Sequence, residues 1–359
     1  MVYAPVCIPT LNRVKHLSRC IESLQACKYA DETELVIGVD FPSKDNHIKG
    51  WLEIKKYVKT IEGFKKVTVF IRKANVGIHE NYRLLREYAF ANYDRMIFSE
   101  DDNVFSPCFL DYINHALEKF KDDPDVWGIC SYFPSEYIDL SCYTSNIIKI
   151  KGYYCDYGSG IWKDKFEKRQ NSIHIPYQKY VCSQGKKLEI FKSYLSLFFL
   201  FINIKDIHPD LQGPCDISYA VSSILNEKYY IVPTIPIVKN IGYDGTGAYC
   251  GEIADDPYSA REITEKKSYE FVIGEDFETQ KEAISKEHSE ERGWREDSRG
   301  EFLDVYNRNK LPRLINCYER FGYNFGEFAR RQIKGSRMFE FFMKHFPRPI
   351  IDFVKNRFQ

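Results

Sequence analysis

From Tyr3 to Tyr132 the chain alternates between short apolar runs and longer stretches in which apolar residues recur three and four positions apart. The short runs, "YAPVCIP", "ELVIGVD", "KVTVFI", "RMIFSE" and "VWGICSY", have the length and the Val/Ile/Phe content of buried strands. Between them, "RVKHLSRCIESLQAC", "HIKGWLEIKKYVKTI", "HENYRLLREYAFA" and "PCFLDYINHALEKF" carry the helical period. Strand and helix in strict alternation predict right-handed crossovers. The expected fold is therefore α/β, with a mostly parallel, doubly wound sheet and flanking helices.

Ligands of such sheets bind beyond the carboxyl ends of the strands. The polar residues of this chain gather there. Pro9, Thr10, Asn12 and Arg13 follow the first strand, Asp40 ends the second, Arg72 and Asn75 follow the third, and Glu100, Asp101 and Asp102 close the fourth. All four sets are expected to face one crevice.

After Tyr132 the alternation fades. "GYYCDYGSGIW" (152–162) reads as mixed strand and loop, a helix is expected over Cys215–Asn226, and "YYIVPTIPIV" reads as a strand pair interrupted by prolines. The glycine-rich "NIGYDGTGAYCG" (240–251) closes this part. Residues 252–301 are highly charged and poor in large aliphatics, which suggests solvated helices and linker. The expected organisation is a domain over 1–251, divided into halves 1–132 and 133–251, and a C-terminal helical appendage over 252–359.

Composition narrows the function. The chain has 51 Lys plus Arg against 51 Asp plus Glu, so no global field draws it to nucleic acid, and no nucleic-acid partner is expected. Its 11 cysteines include no C-x-x-C pair and no Cys/His set at zinc spacing, which fits reduced thiols in a cytosol. "MVYAPVCIPT" lacks the basic region and apolar run of a signal peptide, and "YLSLFFLFINI" (194–204) is too short to span a bilayer. A cytoplasmic protein is expected. From Gly326 to Gln359 eight Lys or Arg stand against three Asp or Glu, interleaved with "MFEFFMKHF", so this tail either lies in a membrane interface or docks on the domain. The first alternative places the protein at the inner face of the plasma membrane.

The run "IFSEDDN" (97–103) carries the chemistry. Three consecutive carboxylates repel one another and raise one another's pKa unless a cation compensates, and sites built only from oxygen select hard divalent ions such as Mg²⁺ or Mn²⁺. Strand alternation would set Glu100 and Asp102 to one side and Asp101 to the other. The competing reading is a polar turn in which Asp102 or Asn103 caps the following helix, with Thr10 and Asn12 capping the first.

The order "VCIPTLNR", "ELVIGVD", "RKANVGIHENY", "IFSEDDN" resembles the nucleotide-sugar-binding half of GT-A glycosyltransferases, of the family 2 and N-acetylglucosaminyltransferase I types. The resemblance implies a Rossmann-like GT-A fold and a nucleotide-sugar donor, with UDP-sugars first. It implies that Pro9, Thr10 and Arg13 line the nucleotide and diphosphate, that Asp40 bonds the base or ribose, and that Arg72 and Asn75 flank the nucleotide. Asp102 would bind Mn²⁺ or Mg²⁺, while Glu100 and Asp101 hold ribose or sugar hydroxyls. Asp216 in "GPCDISYAV" resembles the acceptor-side base of inverting members, its other reading being a helix N-cap. "YGSGIW" resembles a loop before the acceptor site, with Gly160 allowing close approach and Trp162 offering a flat face to a sugar ring; a buried anchor is the other reading. In "NIGYDGTGAYCG", Tyr249 stands where related enzymes often have histidine.

The function expected from these residues is metal-dependent, inverting transfer of a hexosyl or N-acetylhexosaminyl group to a glycan or lipid-linked glycan, in bacterial surface polysaccharide synthesis. Two alternatives stand beside it. A sugar nucleotidyltransferase would need a glycine-rich phosphate loop that "IPTLNRVKH" lacks, and a catalytically silent subunit would bind donor without turnover.

Overall fold

The computed structural model describes residues 2–132, 144–151, 153–173, 226–247 and 257–274, with isolated positions 219, 223 and 277. The chain divides into two compact units, and the fold below is that of the first, which comprises residues 1–135, 139–172 and 213–281. The second unit lies almost wholly outside the described residues, as do the proposed base Asp216, Tyr249 and the basic tail.

Each expected element of the first 132 residues is present. The strands are β1 (Val6–Thr10), β2 (Glu34–Val39), β3 (Lys66–Ile71), β4 (Arg95–Phe98), β5 (Asn103–Phe105) and β6 (Val126–Cys130). Helices α1 (Val14–Gln25), α2 (Asp45–Tyr57), α3 (Ile78–Asn92) and α4 (Phe109–Lys119) connect them. Beyond follow β7 (Ile147–Ile150), β8 (Ser159–Trp162), α5 (Lys163–Ile173), β9 (Tyr229–Pro233) and β10 (Val238–Asn240). Among the described residues no helix is long and apolar enough to cross a membrane.

Eight strands form one sheet in the order β3-β2-β1-β4-β8-β6-β9-β7, and β5 pairs with β10 in a separate ribbon. Pairing is parallel from β3 through β4 and between β6 and β9, and antiparallel at β8 and β7. β1 and β2 are buried at every position, as their unbroken apolar runs require of strands covered on both faces. The sheet order reverses between β1 and β4. The crevice therefore falls at this switch point.

Pro9 shows how the crevice opens. β4 pairs with β1 only at Val6↔Ile97 and Cys7↔Phe98, with bonds from Ile97 N to Pro5 O and from Ser99 N to Cys7 O. Odd-numbered residues of β1 therefore face β4. Pro9 is the next such residue, and it lies past the end of β4, so its missing N–H leaves no ladder bond unmade. On the other side β1 continues in register with β2 through Thr10↔Val39. The strands part where the proline stands.

Two departures concern the later chain. "GSGIW" is a buried strand, and residues 261–274, expected to be linker, pack on the domain. Tyr269 stacks edge-on against Tyr112 at 4.8 Å, its backbone N–H donates to Asp111 Oδ2 at 2.7 Å, and Asn146 Nδ2 donates to Glu270 O at 2.6 Å. Two aromatics, Tyr269 and Phe271, anchor a stretch whose charged neighbours gave it the character of a linker.

Away from the crevice, Glu34 ties β2 to β3 and α3. It accepts from Thr68 Oγ1 at 2.6 Å, Tyr88 Oη at 2.8 Å and Tyr93 Oη at 2.6 Å, and pairs with Lys66 at 3.0 Å. Burial alone would raise its pKa, but these donors outweigh burial and lower it to about 2. A carboxyl whose folded pKa is depressed stabilises the fold above its unfolded pKa and loses that contribution as pH falls. Glu34→Gln is expected to cost about 2 kcal/mol at neutral pH. In urea titrations the gap between the two proteins should close as pH falls from about 4.5 to about 2.

Candidate active site

The acidic turn sits just past β4, facing the end of β1. Thr10 Oγ1 donates to Asp101 Oδ2 at 2.6 Å. Arg13, the residue before α1, places Nη2 against both Asp101 Oδ1 and Asp102 Oδ2, the latter at 2.7 Å. Neither Thr10 nor Asp102 is a helix cap. The N-cap of α1 is Arg13 and that of α4 is Cys108, each without a side-chain cap bond.

Strand alternation does not govern the three acids. β4 ends at Phe98, and Asp101 and Asp102 lie in a turn that points both at Arg13, so the expected pairing of Glu100 with Asp102 is replaced by that of Asp101 with Asp102. Burial would lower the Arg13 pKa, but the two carboxylates more than reverse this and raise it. Glu100 has no such partner. Burial, followed by repulsion from Asp102, Asp156 and Asp101, holds its carboxyl well above the usual range.

The glycine-rich segment after β10 closes over the turn. Asn240 Nδ2 donates to Asp102 Oδ1 at 2.8 Å and to Asn103 Oδ1 at 2.9 Å, and Ile241 N donates to Asp102 O at 2.9 Å. A Cβ at Gly242 would stand 2.1 Å from Asp102 Oδ2, so only glycine lets the backbone pass. His16 Nε2 meets Asp244 at 3.1 Å on the same side. The sequence offered "NIGYDG" as a turn, but only the β5–β10 pairing shows that it locks Asp102.

Asp40 has a different role from the one expected. Its Oδ1 accepts from Phe41 N at 2.8 Å and Val76 N at 2.9 Å, and its Oδ2 from Gly77 N at 2.9 Å and Asn75 Nδ2 at 3.2 Å. Four donors fill the capacity of one carboxylate, so Asp40 shapes the loop before α3 and leaves no acceptor for a base or ribose. Gly77, at φ 79° and ψ 161°, takes a conformation that side chains resist. Asn75 Nδ2 also donates to Phe41 O at 2.6 Å. Arg72 Nε donates to Asn81 Oδ1 at 2.9 Å, while its Nη2 is buried without a hydrogen-bond partner. Burial lowers the Arg72 pKa against the opposing charges of Asp40 and Glu80.

Gly160 and Trp162 do not belong to the crevice. β8 runs antiparallel to β4, with Ser159 opposite Phe98 and Trp162 opposite Arg95, so Trp162 lies at the far end of the sheet. It is 3% exposed and donates Nε1–H to Leu117 O at 3.1 Å. Gly160 packs beneath α4, where a Cβ would sit 3.0 Å from Ile113. By the same geometry the residues just before β8 reach the crevice. Asp156 bears electrostatically on Glu100, and Tyr157 shares a 2.8 Å hydroxyl contact with Tyr243. An acid beside "YGSG" was the available signal for Asp156.

The Glycosyl transferase family 2 model matches residues 6–176, a span that contains β1, the acidic turn and β8. The mixed α/β fold expected from the sequence, with its large and mostly parallel sheet, goes with that match. No curated protein matches the chain. Among solved structures, mannosyltransferase PcManGT from Pyrobaculum calidifontis, in complex with GDP-Man and Mn²⁺, aligns at 13% identity and TM-score 0.35, over 46% of each chain. S. aureus TarS 1–349 in complex with UDP aligns at 15% identity and TM-score 0.28, over 42% of this chain and 35% of that one. The chain thus spans less than half of either structure.

Gly242→Ala forces a methyl group against the Asp102 carboxylate. The substitution is expected to cost about 1–3 kcal/mol, read as a lowered Tm in thermal unfolding.

Proposed function

We propose that the protein is an inverting glycosyltransferase that moves a hexosyl or N-acetylhexosaminyl group from a nucleotide diphosphate donor, a UDP-sugar in the first place, to a glycan or lipid-linked glycan of a surface polysaccharide. The observation that carries the reading is the position of Glu100–Asp102, at the switch point between β1 and β4 within the span that the family 2 model matches. A phosphate loop in the nucleotidyltransferase manner finds no support, because the turn after β1, "IPTLNRVKH", holds no glycine.

The site suits a hard divalent cation by its donor chemistry. Its acids are oxygen donors, and Asp102, Asp156 and Asp101 all repel the buried Glu100 carboxylate. Among the described residues no three His, Cys, Asp or Glu side chains form a ready ligand set, so the protein would supply one or two oxygens and the donor the others. Asp102 would hold the ion, Mn²⁺ or Mg²⁺, which when bound would offset charge on the leaving diphosphate.

The chain's own residues set the geometry. Thr10 and Arg13 fix Asp101, and Asn240 fixes Asp102 from the opposite side. Arg13 and Arg72 each keep one buried nitrogen without a hydrogen-bond partner, a donor suited to an anionic ligand. Asp216 is proposed as the base that takes the acceptor hydroxyl's proton.

Screening UDP-, GDP-, CDP- and dTDP-sugars with and without Mn²⁺ should give a large thermal shift for one base only, dependent on metal, and absent in Asp102→Ala. Binding of Asp102→Ala that EDTA does not alter would sink the metal assignment. Asp216→Asn should keep donor affinity and lose most of its kcat, roughly a hundredfold or more. Full transfer by that variant would move the base elsewhere.

A further inference from the structure

Helix α2 is held to the domain along a narrow face. Ile54 is its buried residue, Val58 just beyond is 5% exposed, and Gly50 abuts the backbone of Asn12. The opposite face carries Ile48 and Leu52, 44% and 47% exposed, and helical spacing sets Lys55 and Lys59 along the same stripe. Phe41, 36% exposed, precedes the helix and lies edge-on to Trp51 at 5.2 Å, while Lys55 Nζ stands 4.1 Å from the centre of the Trp51 ring. Lys44, Lys49, Lys56 and Lys59 are exposed around these residues. From Phe41 to Thr60 the chain has five lysines against Asp45 and Glu53.

Single exposed apolar side chains need no explanation, but an apolar stripe ringed by lysines does. It suits the boundary between headgroups and acyl chains. There Phe41, Ile48 and Leu52 enter the apolar side while lysine stems extend towards anionic phosphates. A second copy apposed on the same face would set lysines against lysines. The basic tail of this chain, with eight cationic residues against three acidic ones, has the wrong sign to cover it.

We propose that α2 together with Phe41 is a docking surface for an anionic lipid bilayer. Phe41 follows Asp40 directly, so a bilayer on this face would adjoin the β2 end of the crevice. Docking does not depend on the transferase reading and is measured without substrate.

The test is sedimentation of the full chain with vesicles of pure phosphatidylcholine and of phosphatidylcholine containing roughly 30% phosphatidylglycerol, at about 50 and 500 mM salt. Binding is expected on the anionic vesicles only and should weaken at high salt. Ile48→Ser/Leu52→Ser and Lys49→Glu/Lys56→Glu should each weaken it at least about tenfold, with donor thermal shifts unchanged. Failure of wild-type protein to bind, equal binding to both vesicles, or undiminished binding by both variants would overturn the proposal. A wild-type dimer that these variants dissociate, without vesicle binding, would make the face a contact between copies and overturn it equally.

Discussion

The crevice depends on one guanidinium. Asp101 and Asp102 approach closely enough to share Arg13, and two buried carboxylates at that separation would be untenable without it. Because Arg13 is the N-cap residue of α1, the ion pair also fixes how the first helix leaves the first strand. Thr10 and Asn240 complete the hydrogen bonding of the acids, so the β1–α1 connection and the end of β10 converge on two side chains.

The sheet supplies the space for this convergence. β1 stays paired with β2 to Thr10 but parts from β4 after Cys7, and a proline stands where the backbone loses its partner. β8, running the other way beside β4, brings Asp156 and Tyr157 to the same end. Switch point, acidic turn and antiparallel neighbour form one arrangement.

Much of the fold was legible because parallel strands buried on both faces leave continuous apolar runs, and α1 to α4 carry the helical period between them. The cluster at the β1 and β4 ends was legible for the same reason, since topology puts strand ends together whatever their side chains do. What escaped was the assignment of partners. Alternation predicts side-chain direction only while the strand lasts, and β4 ends at Phe98, three residues before Asp101. Trp162 fell on the wrong side because "GSGIW" was read as a loop; as a strand antiparallel to β4 it points its last residue away from the crevice. Tyr269 was hidden in a charged stretch, where composition says nothing about a single buried ring.

Asp40 and Arg13 show why residue type does not settle role at such a site. Both are charged residues at strand ends facing one crevice, yet Asp40 accepts four hydrogen bonds, three from Asn75, Val76 and Gly77 and one from Phe41 N. Arg13 keeps Nη1 without a hydrogen-bond partner while it neutralises two acids. The first is a strut and the second remains open to a ligand. At Glu100 burial and repulsion from Asp102, Asp156 and Asp101 favour the protonated form, and Arg13 opposes them only in part. A cation arriving beside Glu100 would relieve the repulsion that the guanidinium only partly offsets.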